Sequence, residues 1–168
     1  MFFSLFPKLQ VVSSDGKSKL MPDIFRRVSI NKFSANFVDL DTLTIPDGYT
    51  PEQLADKIYG DAQLHWVILV INDIVDARNE WPIGAREISE YCKLKYGPAG
   101  MYEVHHYRTT DDNKFIVDYD AAKLSNGEIE EVTNLVYETE LNDAKREILI
   151  LPKRYLSSFT QYYWSLIK

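Results

Sequence analysis

The feature that most constrains the fold is a pair of short helical segments joined at a glycine. Thr50 supplies an N-cap side chain, Pro51 fills the first helical position, and Gln53 stands where a capping box has its second member. Gly60 ends the first helix, because glycine adopts the left-handed cap conformation at little cost. Asp61 can cap the next helix at once. The sequence therefore predicts a helix of about two turns, followed directly by a second helix of about three turns.

Both predicted helices have one apolar face, because their apolar residues recur at helical spacing. In the first helix these residues are Leu54, Ala55, Ile58 and Tyr59. In the second helix they are Leu64, Val67, Ile68 and Ile71, with Trp66 and Val70 beside them. The helix pair is therefore expected to pack its two apolar faces on neighbouring strands.

Short strands are predicted around the helix pair. Residues 37–40 and 42–45 alternate as strands do, and a turn follows at residues 46–48. Residues 101–107 and 114–119 predict a hairpin around the polar turn 110–113. A second candidate strand pair consists of residues 132–139 and 146–151, on either side of residues 142–145.

Two further helices are predicted. One covers residues 85–96 and ends at Gly97-Pro98, where Cys92 is expected to fill a small space in the core. The other closes the chain over residues 153–168, with one apolar stripe formed by Leu156, Phe159, Tyr163 and Leu166. The fold class that follows is α+β, with the helix pair packed on short antiparallel strands, an inserted helix and hairpin, and a C-terminal helix.

Residues 1–35 are predicted to be an extended N-terminal arm before a single domain of residues 36–168. Residues 12–18 are polar and turn-rich, and residues 21–28 fit either a short helix or an extended segment. Phe2, Phe3 and Phe6 are costly to leave in water, so this end is expected to pack on its own domain or on a neighbouring chain. Pro7 and the missing basic leader argue against a signal peptide or membrane span.

Charge and residue content exclude several functions. The formal net charge is −6 and no basic stripe is present, which argues against nucleic-acid binding. The single cysteine, Cys92, cannot form an internal disulfide. His105 and His106 are adjacent on a predicted strand and should point to opposite faces, which makes a poor chelating pair. His65 is expected at the surface or an interface, and no catalytic residue, metal or cofactor is predicted.

The stretch from Tyr49 to Asp73 resembles the small baseplate wedge proteins of T4-like contractile-tailed phages, the gene 53 product family. It has the family's proline-initiated helix, the Ile58-Tyr59-Gly60 turn, the helix containing Trp66, and Asn72-Asp73. Looser similarities lie at residues 21–26, at Trp81, at residues 95–97 and at residues 141–148. The similarity covers most of the chain from about residue 21 onward.

That resemblance implies a structural, non-enzymatic protein that joins adjacent baseplate wedges and attaches them around the central hub during tail assembly. The implied partners are other baseplate wedge proteins and a lysozyme-like baseplate protein, in multiple symmetry-related copies, without nucleic acid or membrane. The implied location is the virion tail baseplate, after synthesis in the host cytoplasm. The tryptophans fit a core as well as an interface, and the candidate interface residues are Phe2, Phe3, Phe6, Phe25, Tyr59, Trp66 and Trp81.

The same helix pair also resembles a LysM module, in which two short helices pack on a two-stranded sheet. Residues 42–73 would form this LysM-like core, completed by a late strand within residues 146–152, so that residues 74–145 are an insertion. This hypothesis requires residues 43–45 and 148–151 to be neighbours. The alternative function that it implies is binding of peptidoglycan or N-acetylglucosamine polymers, in a groove near residues 46–49 and 72–74.

Overall fold

The computed structural model describes residues 6–23 and 39–167, which form a mixture of helices and short strands. The strands are β1 (Lys8–Val12), β2 (Ser18–Pro22), β3 (Asp41–Thr44), β4 (Val104–Thr109), β5 (Ile116–Val117), β6 (Ile129–Thr133) and β7 (Glu147–Ile150). The α-helices are α1 (Pro51–Tyr59), α2 (His65–Ile71), α3 (Ala77–Glu80), α4 (Ala85–Gly100), α5 (Ala121–Ser125), α6 (Asn134–Asp143) and α7 (Leu156–Ile167). The predicted α+β class is confirmed.

The chain divides into two compact units. Unit 1 contains the residues up to Leu43, the segment Thr50–Ala77 and the residues from Ile148 onward. Unit 2 contains Thr44–Tyr49 and Arg78–Glu147. The predicted boundary between an arm of residues 1–35 and a domain of residues 36–168 lies outside the described residues, so it stays a prediction.

The helix pair of unit 1 has the predicted caps. The Thr50 hydroxyl accepts from the Gln53 amide at 3.3 Å, and the Gln53 side chain accepts from the Thr50 amide at 3.0 Å. Gly60 has φ 80° and donates its amide to the Asp56 carbonyl at 2.8 Å. Asp61 caps a 3-10 turn, Ala62–Leu64, that leads into α2. The capping residues in the sequence therefore predicted the positions of both helices correctly.

Strands β3 and β7 form a two-stranded sheet that, apart from Thr44 and Glu147, lies in unit 1. They are neighbours, as the hypothesis of a core completed by residues 146–152 required. The side chain of Asn72, at the end of α2, bonds to Leu149 of β7 in both directions. Its Oδ1 accepts from the Leu149 amide at 2.8 Å, and its Nδ2 donates to the Leu149 carbonyl at 2.8 Å.

The core of unit 1 is aromatic. Trp66 of α2 packs against three rings of α7, with centroid distances of 5.9 Å to Phe159, 4.8 Å to Tyr163 and 5.6 Å to Trp164. The buried stripe of α7 is Phe159, Tyr163 and Ile167. The predicted stripe was therefore wrong at its end: Leu166 is 39% exposed, because a spacing of four residues carries the buried face to Ile167.

The N-terminal segment contains a hairpin where an extended arm was expected. Strands β1 and β2 pair antiparallel, with Lys8 opposite Pro22 and Val12 opposite Ser18. Gly16 has φ 77° in the connecting turn, and its amide donates to the Ser13 carbonyl at 2.9 Å. The signal that was missed is Asp15-Gly16 between stretches of alternating apolar residues, a strong hairpin pattern. We call this two-stranded element, residues 8–22, the ribbon.

Unit 2 has its own core around α4. Ile88, Cys92 and Met101 form the buried cluster, with partly buried Ile83, Tyr96 and Leu135 packed against it. Helix α4 runs on to Gly100, but its backbone leaves the helical conformation at Gly97, where φ is 81°. The predicted end of the helix therefore coincides with a break in the helical backbone, and one short helical turn follows the break. Cys92 is a free, fully buried thiol, as its apolar surroundings predicted.

The predicted hairpin of unit 2 is present as β4 and β5, with Tyr107 opposite Val117. Strand β6 pairs antiparallel with the other edge of β4, giving the order β5-β4-β6. The predicted second strand pair was wrong: residues 134–143 are helix α6, and 147–150 pair with β3. The buried positions of α6 include the polar residues Glu138 and Asn142, so the spacing of apolar residues did not predict this helix.

Candidate partner-binding surfaces

The candidate interface residues fall into two groups. Phe2, Phe3 and Phe25 lie outside the described residues, so their role as anchors stays a prediction. The other candidates, Phe6, Tyr59, Trp66 and Trp81, are all buried, with exposures between 4% and 7%. Their side chains therefore contribute to the interior of this chain, which is the core reading that the sequence left open for the tryptophans.

Three of the buried candidates lie in unit 1. Phe6 meets Trp164 edge to face, with ring centroids 6.0 Å apart, and so joins the aromatic cluster around Trp66. Tyr59 ends α1, and burial raises the pKa of its hydroxyl to about 12, although the backbone of Leu151 partly opposes the shift. Phe6 lies two residues before the ribbon, so its burial holds the start of the ribbon on the rest of unit 1.

Trp81 contributes to a groove in unit 2 with a volume of about 320 Å³. The indole Nε1 of Trp81 donates to the Tyr49 carbonyl at 2.7 Å, which fixes the ring. Its lining combines buried side chains, such as Trp81 and Ile88, with exposed ones, such as Arg78 and Leu141. The lining residues are Arg78, Asn79, Trp81, Ile83, Ile88, Tyr91, Glu138, Leu141, Asn142 and Lys145. We call this feature the Trp81 groove.

Buried polar contacts hold the wall of the Trp81 groove. Asn142 bonds to both backbone groups of Ile83: its Oδ1 accepts at 2.9 Å and its Nδ2 donates at 3.0 Å. Glu138 accepts from Lys95 Nζ and from the Tyr96 hydroxyl, each at 2.7 Å. Burial opposes ionisation of Glu138, but these two bonds outweigh it and hold the pKa of the carboxyl below its usual value. The wall therefore carries a charged, rigid carboxylate.

The ribbon presents a different surface, because both of its strands are exposed along their whole length. Five large apolar side chains of the ribbon are between 45% and 70% exposed: Leu9, Val11, Val12, Leu20 and Met21. Such a concentration of apolar side chains in water is typical of a contact surface. The sequence prediction named phenylalanines near the start of the chain and did not name these aliphatic residues.

The two adjacent histidines do not point to opposite faces, which corrects the prediction from strand geometry. The pairing of β4 with β6 shifts between Val104 and His106, so His105 is the extra residue of a β-bulge. As a result, the Nδ1 atoms of His105 and His106 lie 2.8 Å apart, and the His105 ring stacks on Tyr137 at 3.9 Å. At this distance one Nδ1 donates its proton to the other.

Burial lowers the pKa of His106, and the nearby charges of His105 and Arg108 lower it further, against the opposing effect of Glu140. Arg108 is itself held by Glu130 at 2.6 Å and by Glu140 at 2.7 Å. The charged groups around the histidine pair therefore form a network within the sheet and α6 of unit 2.

Within residues 6–23 and 39–167, no group of three or more histidine, cysteine, aspartate or glutamate side chains is placed to hold a metal ion. In this part of the chain no helix combines the length and the apolar composition of a membrane span. Among the described residues, the Trp81 groove and the ribbon both place exposed apolar side chains at the surface, as protein-binding surfaces do.

Comparison with known proteins gives two matches. The family model for base plate wedge protein 53 matches residues 1–149 of this chain. The baseplate wedge protein gp53 of Enterobacteria phage T4 is 28% identical over 128 residues, which cover 71% of this chain and 65% of that protein. The aligned part thus spans just under two thirds of the T4 protein. Neither match is to a LysM module, so the glycan-binding alternative gains no support.

Proposed function

Because this chain belongs to the base plate wedge protein 53 family, we propose that it is a structural, non-enzymatic component of a phage baseplate wedge. The observation that carries this proposal is the family match over residues 1–149, which covers all of unit 2 and the part of unit 1 before residue 150. In this role the chain joins adjacent wedges and attaches them around the central hub of a contractile tail. It works by binding, so it needs stable surfaces and no reaction centre.

The proposed partners are other baseplate wedge proteins and a lysozyme-like baseplate protein. Symmetry of the baseplate would place several copies of the chain in each particle. The chain is made in the host cytoplasm and resides in the tail baseplate of the virion. The net charge of −6 supports protein partners over nucleic acid, since a chain of this sign is repelled by phosphates.

Within this function the Trp81 groove is proposed as a docking site for an apolar side chain of a partner. Its lining includes Trp81, Ile83 and Ile88, and its volume of about 320 Å³ suits one large side chain. Leu141 lines the rim and is 47% exposed, so a partner can cover it further. Burial of an anchor in such a groove is the usual source of binding energy at protein interfaces.

The test is assembly of tails with variant chains. Leu141→Asp places a charge at the groove rim and is expected to lower the amount of chain in purified tails at least about tenfold. Leu166→Asp is the matched control, since Leu166 is 39% exposed on α7 of unit 1 and outside the groove. Circular dichroism of both free variants checks that they fold.

Two outcomes would contradict these proposals separately. If the wild-type chain is absent from purified tails, the baseplate role is wrong. If the chain is present and Leu141→Asp enters tails as well as the wild type, the groove is not a docking site, although the baseplate role stands.

A further inference from the structure

We propose that strand β1 of the ribbon receives an added strand from another baseplate protein, and that this strand has alternating apolar side chains and acidic neighbours. This inference rests on the proposed function and identifies a second contact surface with its partner's chemistry. In strand addition, main-chain hydrogen bonds give affinity, while side chains on alternate positions give specificity.

The hydrogen bonds at the two ends of the ribbon show which backbone groups face outward. The Asp23 amide donates to the Pro7 carbonyl, and the Ser13 amide donates to the Lys17 carbonyl, both at 2.8 Å. Hydrogen-bonded and non-hydrogen-bonded pairs alternate along an antiparallel ladder. The bonded pairs therefore contain the odd-numbered residues of β1. The N–H and C=O groups of Lys8, Gln10 and Val12 point away from β2.

The outer edge of β1 is an uninterrupted row of three such residues, and among the described residues no backbone group pairs with it. The outer edge of β2 differs. Its outward residues are Ser18, Leu20 and Pro22, and proline has no N–H to donate. Proline is one of the residues by which natural proteins block an exposed strand edge. The edge of β1 is therefore the one that is open to a partner strand.

The side chains of the ribbon favour an apolar partner. Residues of bonded pairs share one face, so Leu9, Val11 and Met21 lie together, with exposures of 48%, 45% and 50%. The opposite face has Val12 at 68% and Leu20 at 70% exposure. A lone two-stranded hairpin is marginally stable in water, and a third strand would both complete its hydrogen bonds and cover these side chains.

The charges of the ribbon favour an acidic partner. Residues 8–22 contain three lysines and one aspartate, whereas the whole chain has a net charge of −6. Lys17 reaches Asp15 only at 3.9 Å, with both side chains more than half exposed. Lys8 and Lys19 lie on the strands themselves. Acidic side chains flanking an added strand would meet these lysines and steer it to the ribbon.

The test compares amide hydrogen exchange in the free chain and in purified tails. The amides of Lys8, Gln10 and Val12 are expected to exchange at least roughly 100-fold more slowly in tails, because each would donate to the added strand. Ser18 and Leu20, on the other edge, are expected to show little extra protection. If the chain is present in tails and the β1 amides exchange as in the free chain, strand addition is wrong and the baseplate role stands.

Two matched proline variants test the edge itself. Gln10→Pro removes an outward N–H from β1, and Ser18→Pro removes one from β2, while neither donor serves the pairing within the ribbon. Gln10→Pro is expected to lower incorporation into tails at least about tenfold, and Ser18→Pro to leave it near the wild-type level. Equal behaviour of the two variants would overturn the proposal.

Two further experiments test the charge of the partner strand and the possibility that the partner is a second copy of this chain. Lys19→Glu is expected to weaken incorporation into tails, since it would repel an acidic strand; improved incorporation would overturn the acidic assignment.

Sedimentation of the free chain tests whether a second copy of the chain occupies the edge of β1. A wild-type dimer that Gln10→Pro dissociates would replace the proposed partner by a second copy of this chain.

Discussion

At the scale of single residues, Gly60 determines how closely the two helices of unit 1 follow each other. Its φ of 80° is in the left-handed region, where a side chain is strained. A Cβ at this position would meet only Lys153 Nζ, at 4.0 Å, so no packing clash is involved. The requirement for glycine is therefore one of backbone conformation.

Gly60→Ala is expected to lower the free energy of unfolding by about 1–2 kcal/mol, because alanine must adopt the left-handed conformation. Denaturant unfolding followed by circular dichroism measures the change. Gly100→Ala is the control: Gly100 has no positive φ, and an added Cβ would approach Tyr96 Cβ at an ordinary 3.6 Å. Equal losses for both variants would contradict the backbone explanation.

The histidine pair is a second feature at the scale of single residues. The one extra residue in β4, His105, brings the rings of His105 and His106 into contact. Burial is the main cause of the lowered pKa of His106, and the charge of His105 adds to it. A histidine whose pKa is lowered on folding stabilises the folded chain above its unfolded pKa. That stabilisation is lost as the pH falls below about 6.5 and through the folded value.

His105→Ala is expected to raise the pKa of His106 part of the way toward its ordinary value, because it removes one of the nearby charges and leaves the burial. A proton NMR titration of the imidazole measures the shift. His65→Ala, which changes a histidine of unit 1, is the matched control and should leave the titration of His106 as it is. An unchanged His106 titration in His105→Ala would exclude a contribution from the neighbouring ring.

At the scale of elements, Asn72 connects the end of α2 to strand β7. Its side chain bonds to the amide and the carbonyl of Leu149, and its Nδ2 also donates to the Ile68 carbonyl at 2.9 Å. The carboxamide thus imitates a neighbouring strand at one residue of β7. Only a side chain with both a donor and an acceptor can do this.

Asn72→Asp is expected to cost about 1–2 kcal/mol of unfolding free energy, because aspartate keeps the acceptor for the Leu149 amide and loses both donated bonds. Equilibrium unfolding in urea measures this loss. Asn126→Asp, at an exposed position after α5, serves as the control for the added charge. A loss in Asn72→Asp no greater than in the control would show that the contact contributes little.

Helices α4 and α6 are connected by Glu138 with Lys95 and Tyr96. The carboxylate is buried, and its two bonds lower its pKa despite the cost of burial. A carboxyl group whose pKa is lowered on folding stabilises the folded chain above its unfolded pKa. This stabilisation is lost as the pH falls below about 4.5 and through the folded value.

Glu138→Gln is expected to lower the unfolding free energy at pH 7 by about 1–3 kcal/mol and to reduce its decline between pH 5 and 3. The reason is that glutamine cannot ionise and binds Lys95 more weakly. Unfolding measured at several pH values checks both effects. Lys95→Met should likewise flatten the profile, and a Glu138→Gln profile as steep as the wild type would contradict the assignment.

At the scale of the whole molecule, the chain builds two cores of different character. Unit 1 has an aromatic core around Trp66 and α7, whereas the core of unit 2 consists of Ile88, Cys92 and Met101 with polar contacts beside them. Each unit thus has buried side chains of its own. The ribbon adds exposed apolar residues to unit 1, and the Trp81 groove lies in unit 2. Both units therefore contribute a candidate contact surface.

Phe159→Ala is expected to lower the free energy of unfolding by about 3–5 kcal/mol, because Phe159 is fully buried and its removal leaves a cavity. Leu166→Ala, on the same helix and 39% exposed, should cost less than about 1 kcal/mol. Thermal unfolding of both variants measures the difference, and hydrogen exchange should locate the loss mainly in unit 1. Similar costs for the two variants would contradict the corrected stripe of α7.

Local structures that depend on a few neighbouring residues could be predicted from the amino-acid sequence. The capping box at Thr50, the left-handed cap at Gly60 and the break at Gly97 follow from backbone conformation and short-range hydrogen bonds. The family resemblance of residues 49–73 also came from sequence, and the family match confirms it. These features were predictable because their causes lie within one or two turns of chain.

Which side chains are buried and which strand edges stay open depends on long-range packing. Helix α6 was wrongly predicted as a strand, because its buried Glu138 and Asn142 are satisfied by Lys95 and Ile83, which lie more than forty residues away in the sequence. The bulge at His105 likewise depends on the pairing of β4 with the distant strand β6. Burial of Trp66 and Trp81, and exposure of the ribbon, follow from such long-range packing, which local sequence patterns do not encode.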